Sequence, residues 1–135
     1  MPVLKREIMA SDRKKLVKKL DVVFSKYIRA RDYIKYNGVC PFCHTHPIEQ
    51  CFHFFSRISH ATRWREDNAI GSCSGCNYTM EFSPAKFIMW FVDHYGREKL
   101  DYLDGLWHSS VKYSNADLEL MIQDFTNKFN NLPEK

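Results

Sequence analysis

Residues 40–76 read CPFCHTHPIEQCFHFFSRISHATRWREDNAIGSCSGC, a segment that begins and ends with a Cys-x-x-Cys pair. The first pair is Cys40 and Cys43, and the second is Cys73 and Cys76. Each pair presents two thiolates from one tight turn, and two such turns supply the four sulfur ligands that structural zinc prefers. Iron, as an ion or a cluster, is the alternative for the same ligands. The spacing therefore predicts a metal site, most simply zinc, that joins the two ends of the segment.

Two residues inside this segment, His53 and Asn68, are candidates for a catalytic role. His53 lies in the aromatic-rich run 48–57, which has the composition of a β-strand, whereas residues 58–72 show little periodicity and are predicted to form a loop. Asn68 falls in that loop, five residues before Cys73, and is expected to lie near the metal. A neutral imidazole can remove a proton from water, but a histidine among aromatic residues is often only part of a core.

The flanking sequence predicts helices. Apolar residues at helical spacing indicate a long helix from about residue 12 to residue 36, with Ser11 or Asp12 as its cap and Asn37-Gly38 at its end. A second helix should begin at Ser83-Pro84, a short one should cover 97–104, and a last one should begin after Ser114. No repeat or linker is present, so we expect one α+β domain over residues 1–135. Its parts would be a basic helix (1–37), the metal-stapled segment (38–83) and C-terminal helices (84–135).

The charge is unevenly distributed along the chain. Residues 1–35 hold eleven Lys and Arg against four Asp and Glu, a net of +7, while the remaining residues have a net of −3. This asymmetry favours a polyanionic partner, with nucleic acid ahead of a membrane surface. A solvated helix face is the alternative interpretation of the same run. The cations proposed to contact DNA are Lys14, Lys15, Lys18, Lys19, Lys26 and Arg29.

Composition also narrows the class of protein. No stretch approaches the roughly 18–20 uncharged apolar residues that a membrane span requires. Five cysteines, four of them in metal-type pairs, suit a reducing compartment better than a disulfide framework. We therefore expect a soluble, cytoplasmic protein without a membrane partner. The fifth cysteine, Cys51, is expected to be a small buried apolar residue.

A histidine on a strand, an asparagine in the following loop and a helix thereafter resemble the ββα-metal, or HNH, nuclease finger in its form braced by two Cys-x-x-Cys pairs. A longer set of motifs is similar to the phage NinG (Rap) recombination endonucleases and covers about residues 22–104. The matching segments are Phe24 to Asp32, the first Cys pair, His53-Phe54-Phe55-Ser56-Arg57, Ser59-His60, Arg63-Trp64, Asn68, Cys73-Ser74-Gly75-Cys76-Asn77, and the later run from Gly96 to Leu103.

The resemblance implies a metal-dependent, structure-selective DNA endonuclease that cuts branched DNA, such as Holliday junctions or flaps, with Mg²⁺ or Mn²⁺. It implies that His53 is the general base, that Asn68 braces the hairpin, and that Arg57 and Arg63 grip phosphates. Surface ion pairs are the alternative role for the two arginines. His60 also matches a family position, without an assigned role. A phage-encoded enzyme of this kind would act in the bacterial cytoplasm, and a homodimer would suit a symmetric four-way substrate that needs two cuts.

The ligands of the catalytic ion are the least defined part of this hypothesis. Many HNH enzymes place an aspartate immediately before the base, but this chain has Phe52, which cannot ligate a metal. Asn77 matches a metal-contacting asparagine of related resolvases, and Glu81, one helical turn later, is a hard oxygen ligand. The alternatives are a helix cap for Asn77 and a solvated charge for Glu81. Phe52 keeps a second function open, that of a non-catalytic zinc-knuckle protein that binds DNA or assists replication and recombination.

Overall fold

A computed structural model describes residues 3–133, so residues 1, 2, 134 and 135 of the expected domain lie outside the described part. The fold is mixed, mostly helical with one small sheet, as the α+β expectation requires. In chain order the elements are α1 (Val3–Lys35), β1 (Gln50–His53), α2 (His60–Arg63), a 3-10 turn (Glu66–Asn68), β2 (Ala69–Ser72), α3 (Ser74–Thr79), α4 (Ala85–Tyr95), α5 (Arg97–Trp107) and α6 (Asn115–Asn130).

Helix α1 is longer than the sequence predicts. It begins at Val3, so the expected start at Ser11 or Asp12 is wrong. Residues 3–10 contain no glycine or proline, and most are good helix formers, so nothing interrupts the helix before Ser11. The predicted end is confirmed. Asn37 and Gly38 adopt positive φ angles of 54° and 80°, and the Gly38 amide donates to the Tyr33 carbonyl at 2.8 Å, which closes the last turn.

The sheet is a single antiparallel hairpin of two four-residue strands. Gln50 pairs with Ser72 and His53 pairs with Ala69 at its two ends. The prediction that residues 58–72 form a loop is therefore wrong, because this segment contains α2, the 3-10 turn and β2. All four residues of β2 are buried, so the strand lacks the alternation of polar and apolar residues by which a half-exposed strand is recognised.

The later helices begin and end close to their predicted positions. Helix α4 follows Pro84 and ends at Gly96, whose φ of 90° breaks the helix before α5. Helix α5 extends to Trp107, three residues beyond the predicted segment. Helix α6 has a capping box, in which the Ser114 hydroxyl accepts from the Asp117 amide and the Asp117 carboxylate accepts from the Ser114 amide.

Two hydrophobic cores lie on opposite faces of the hairpin. The first joins α1 to α6, whose contacts advance in the same direction, from Arg13 with Tyr113 to Phe24 with Phe125, so the two helices run parallel. The second surrounds Phe52 and joins the hairpin and the cysteine pairs to α4 and α5. Because successive strand residues point to opposite faces, Cys51 and His53 face α1 while Phe52 faces the second core.

Within residues 3–133, none of the helices combines the length and the apolar character that crossing a membrane requires.

Candidate active site and metal centre

The four paired cysteines converge on one point. The Sγ atoms of Cys40, Cys43, Cys73 and Cys76 all lie within 4.8 Å of one another, and those of Cys43 and Cys73 are 3.7 Å apart. A tetrahedral site with Zn–S bonds of about 2.3 Å has sulfur–sulfur edges of about 3.8 Å. The cluster therefore could hold a structural metal such as zinc, as the spacing predicts. Cys51 stands apart and packs against the α1–α6 core, where burial raises its pKa to about 12.

Local backbone structure positions these sulfur atoms. Cys73 is the N-cap of α3, and its Sγ accepts a hydrogen bond from the Cys76 amide at 3.3 Å. A hydrogen bond from the His46 backbone is the main cause that lowers the pKa of Cys43 to about 5. Burial raises the pKa values of Cys73 and Cys76. Because thiolates are the ligands of zinc, a divalent cation in the cluster would offset the cost of ionising these buried thiols.

Phe52 faces away from the candidate site. Its side chain is fully buried and packs against the rings of Phe42, Phe54 and Phe87, with centroid distances of 4.9, 5.1 and 5.2 Å. The residue before His53 thus belongs to the opposite face of β1. A carboxylate at this position would enter an aromatic core, which explains why the chain has phenylalanine there.

His53, at the end of β1, has one ring nitrogen fixed. Its Nε2 lies 2.9 Å from the carbonyl oxygen of Arg63, which can only accept, so Nε2 carries the proton and Nδ1 is the basic nitrogen. The ring packs beside Phe24 with a centroid distance of 5.8 Å. Burial lowers the pKa of His53 to about 4, and the ring is therefore neutral at pH 7.

Asn68 holds the loop that follows β1. Its side chain is fully buried and accepts from the Phe55 amide at 2.8 Å, and it donates to the carbonyls of Phe55 and Thr62 at 3.1 and 3.0 Å. Its side chain thus joins the two arms of the hairpin. It is connected to His53 indirectly, through the backbone at Thr62 and Arg63 and through Phe54, whose amide donates to the Asn68 carbonyl at 2.9 Å. The expectation that Asn68 lies near the metal is wrong, because the extended strand β2 separates it from Cys73.

Asp21 of α1, which the sequence did not single out, organises the two arginines of the site. Arg63 donates to both of its carboxylate oxygens, Trp64 Nε1 donates at 2.9 Å, and an Arg57 nitrogen lies 4.0 Å away. Burial alone would raise the pKa of Asp21, but the hydrogen bonds from Arg63 and Trp64 outweigh it and lower the pKa. Arg63 is thus held within the protein, whereas the Arg57 side chain remains 58% exposed. In the sequence, Asp21 is the one acidic residue between Arg13 and Arg31, and this isolation among basic residues could have singled it out.

One cavity of about 450 Å³ brings the main candidates together. Its lining includes His53 from β1, Asp21 from α1, Arg57 from the following loop, and Asn77 and Glu81 from the α3 region. Asn77 lies inside α3, whose cap is Cys73, so the alternative role of helix cap is excluded. The Glu81 side chain makes no hydrogen bond or salt bridge within the described part of the chain. Amide and carboxylate oxygens are therefore available at the wall of this cavity.

Within the described part of the chain, the oxygen atoms of Asn77 and Glu81 are not part of a group of three or more metal-ligating side chains. Among residues 3–133, the cysteine tetrad is the only group of three or more His, Cys, Asp and Glu ligand atoms placed to hold a metal. Asp21 is no substitute for the missing aspartate at position 52, because Arg63 and Trp64 already occupy its oxygens. Two oxygen donors, Asn77 and Glu81, suit a largely hydrated Mg²⁺ or Mn²⁺.

The predicted DNA-contact residues separate into distinct surfaces. Lys14 and Lys18 line a groove beside Asp21 and Arg63, next to the His53 cavity. Lys15 and Lys19 are exposed one position further around the helix. Lys26 and Arg29 border a larger groove of about 720 Å³ between α1 and α6, where Lys26 Nζ lies 4.4 Å from the Phe129 ring centroid. The set is therefore not one continuous stripe. Lys14 and Lys18 share a groove with Asp21, which also lines the His53 cavity, whereas Arg29 reaches the cavity edge by donating to the Ser25 carbonyl at 3.3 Å.

His60 lies at the start of α2, with its ring 4.8 Å from the Trp64 ring, and it does not line the cavity.

Comparisons with models of known protein families, with curated proteins and with solved structures gave no match for this chain.

Proposed function

We propose that this protein is a metal-dependent DNA endonuclease of the HNH class that hydrolyses phosphodiester bonds in branched DNA. The observation that carries the proposal is the shared cavity of His53, Asn77 and Glu81. The antiparallel strands β1 and β2 followed by α3 support this class, since a ββα-metal finger has two strands and then a helix, and the cysteine tetrad would staple its base. The preference for Holliday junctions or flaps, and a role in phage recombination, are supported by the motif resemblance alone.

In this proposal, His53 activates the attacking water. The Arg63 carbonyl holds Nε2–H, so Nδ1 accepts the proton that water loses. The low pKa keeps Nδ1 unprotonated across the physiological range, although it also makes the ring a weaker base than an ordinary imidazole. Asn68 keeps the loop in place, and through it the orientation of the imidazole.

Asn77 and Glu81 would hold the catalytic Mg²⁺ or Mn²⁺, and the donor types fit such an ion. A bound cation of this kind supplies stabilisation of negative charge on the phosphate and on the leaving 3′ oxygen. The free carboxylate of Glu81 provides the negative charge that attracts the cation. The cysteine-bound zinc has no part in the chemistry, because a closed set of four sulfur ligands leaves no open position.

Charged side chains around the cavity would position the DNA. The exposed Arg57 guanidinium can contact the phosphate beside the scissile bond, while Arg63 acts within the protein, on Asp21. Lys14 and Lys18 would neutralise further phosphates along the same groove. Contacts of this kind position a duplex without reading its bases, so recognition would depend on shape rather than sequence.

A second candidate function is that of a non-catalytic zinc-knuckle DNA-binding or accessory protein. The partial burial of the His53 ring, which lowers its pKa, and the absence of a carboxylate on its face of β1 favour this alternative.

Cleavage assays decide between the two candidates. Zinc-loaded protein should nick four-way or flapped DNA with Mg²⁺ or Mn²⁺, and His53→Ala should lower the rate by about 10²-fold or more while DNA binding persists. His108→Ala is the matched control, since this exposed histidine follows the last residue of α5 and does not line the cavity. Absence of cleavage of linear, nicked, flapped and four-way DNA by folded, zinc-loaded protein would favour the binding protein.

A further inference from the structure

The helical turn that supplies Asn77 and Glu81 to the candidate site also carries two exposed aromatic rings. Tyr78 and Phe82 are 64% and 69% exposed, and their ring centroids are 5.0 Å apart. Neither belongs to the two hydrophobic cores. Large apolar side chains that contact each other on the surface mark an interaction site more often than single exposed ones do.

The position of this pair relative to the cavity limits what it can contact. Asn77 and Glu81 line the cavity, and Tyr78 and Phe82 directly follow them in the chain. The turn that carries all four residues is continuous, because the Glu81 and Phe82 amides donate to the carbonyls of Tyr78 and Thr79 at 3.2 and 3.0 Å. Residues one position apart on a helical turn are rotated by about 100°, so the two rings do not line the cavity but lie on the adjoining face of the turn that supplies Asn77 and Glu81. A DNA branch that extends from the cavity across this turn would contact them.

The charges around the cavity favour a nucleic-acid occupant over a protein. Arg57 presents a mostly exposed guanidinium on the loop that borders the cavity, and Lys14 and Lys18 lie in the adjoining groove. These cations suit a phosphate backbone, and the faces of aromatic rings suit unpaired bases. A base inside a continuous duplex is stacked on its neighbours, so its faces are not free for a protein ring.

We propose that Tyr78 and Phe82 form a stacking platform for an unpaired base at a DNA branch, next to the phosphate that enters the His53 cavity. This inference rests on the proposed function and deepens it, since it assigns selectivity for branched over continuous DNA to two named side chains. The platform holds the branch point, and the helical turn then places Asn77 and Glu81 at the neighbouring phosphate.

Binding measurements test the platform. In a His53→Ala background, fluorescence anisotropy would compare a flapped DNA with a continuous duplex of the same length and sequence. Replacing Tyr78 and Phe82 with alanine should weaken binding to the flap about tenfold or more and change duplex binding less than about twofold. A 2-aminopurine base at the branch should lose fluorescence on binding the parent protein, and this quenching should disappear in the double variant.

Conservative variants separate stacking from general apolar contact. Tyr78→Phe keeps the ring and should retain flap affinity, whereas Phe82→Leu keeps apolar bulk without the ring and should lose it. Met89→Ala is the control for loss of an exposed apolar side chain, because Met89 is 65% exposed on α4 and does not line the cavity.

Several outcomes would overturn the platform. Equal losses on flap and duplex, unchanged binding, or conversion of a dimer to a monomer by the double variant would each do so, the last by assigning the rings to a second copy of the chain. Cleavage of branched DNA by the wild-type protein without dependence on the two rings would remove this inference alone. Ring-dependent flap binding without any cleavage by the wild type would instead remove the proposed nuclease activity.

Discussion

The carboxylate of Asp32 accepts a hydrogen bond from the Gly71 amide at 2.6 Å and so joins α1 to the outer edge of β2. Asp32 is almost completely buried, and Arg31 donates to both of its oxygens at 2.9 Å. Arg31 also donates to the Ala69 carbonyl at 2.9 Å. The edge of a two-stranded sheet would otherwise expose unpaired backbone groups, and these two side chains satisfy them. The contact positions the hairpin, and hence His53, against α1.

Asp32→Ala should strongly destabilise the protein. The change leaves the Gly71 amide without an acceptor and removes the closest counterion of Arg31, which retains Glu66 at 3.8 Å. Breaking a buried pair in this way costs about 3–5 kcal/mol. Denaturant unfolding of zinc-loaded protein measures the effect. Asp104→Ala is the matched control, since Asp104 is exposed on α5, and its change should stay within about 0.5 kcal/mol. Similar stabilities for the two variants would show that the contacts of Asp32 with Gly71 and Arg31 do not stabilise the fold.

If the cysteine tetrad holds zinc, removal of the metal should unfold the hairpin region. Structural zinc contributes on the order of 10 kcal/mol of folding free energy in small sites, and here four sulfur atoms join α3 to the turn after α1. Cys40→Ser, or a strong chelator, should therefore lower the melting temperature sharply and release about one zinc per chain. Cys51→Ala is the control, because Cys51 lies outside the tetrad. An unchanged melting temperature after verified zinc loss would contradict a structural role for the metal.

The sequence made the cysteine cluster, the end of α1 and the start of α6 predictable for a common reason, which is that their signals are local. The Cys-x-x-Cys pairs, Asn37-Gly38 and Ser114 each act through bonds within a few residues. Strand β2 was missed because its four residues are all buried and show no alternation.

Asp21 could not be assigned from sequence, because its role depends on Arg63 and Trp64, more than forty residues away. The role of Phe52 also depends on packing that the sequence does not show. In the sequence, Phe52 stands where an aspartate would ligate a metal, so it argued against a metal site; in the structure, its side chain lies on the opposite face of the strand and fills the second core. Local patterns indicate which residues share a segment, but the packing of α1 against the hairpin decides which ones share a cavity.

The two arginines of the site should respond differently to alanine substitution. Arg63→Ala leaves the half-buried Asp21 without its main partner and should cost about 1–3 kcal/mol of stability. Arg57→Ala removes only a 4.0 Å contact of an exposed side chain, so its stability cost should stay below about 1 kcal/mol. If Arg57 contacts a phosphate, its loss should reduce kcat/KM for DNA cleavage. A stable Arg63→Ala protein, or full activity of Arg57→Ala, would contradict these assignments.

If the protein binds DNA as proposed, the lysines of α1 should contribute unequally to that binding. Lys14 and Lys18 share a groove with Arg63 beside the candidate site, so their replacement with glutamine should lower the salt dependence of binding by about one unit of slope for each phosphate that is no longer neutralised. Lys15→Gln with Lys19→Gln is the matched control, because it removes the same charge from an adjacent part of the same helix. Equal slopes for the two double variants would show that α1 attracts DNA only through its overall charge.

Acid should destabilise the protein through His53. The pKa of about 4 in the folded state lies below the usual value near 6.5, so between these values the unfolded chain takes up a proton that the folded protein does not. Stability due to neutral His53 is therefore complete above about pH 6.5 and falls as the pH drops towards 4, by up to about 3 kcal/mol.

His53→Gln should remove this part of the pH dependence. The free energy of unfolding, measured with urea at pH 7 and pH 5, should fall less for the variant than for the wild type. Both proteins keep the cysteine tetrad and the three charged residues around the ring, Asp21, Arg57 and Arg63. Any effect of acid on these groups is therefore common to the two proteins and cancels when they are compared. His94→Gln, on the exposed surface of α4, should leave the wild-type difference unchanged. An NMR titration that finds His53 protonating near pH 6.5 would contradict the burial of its ring.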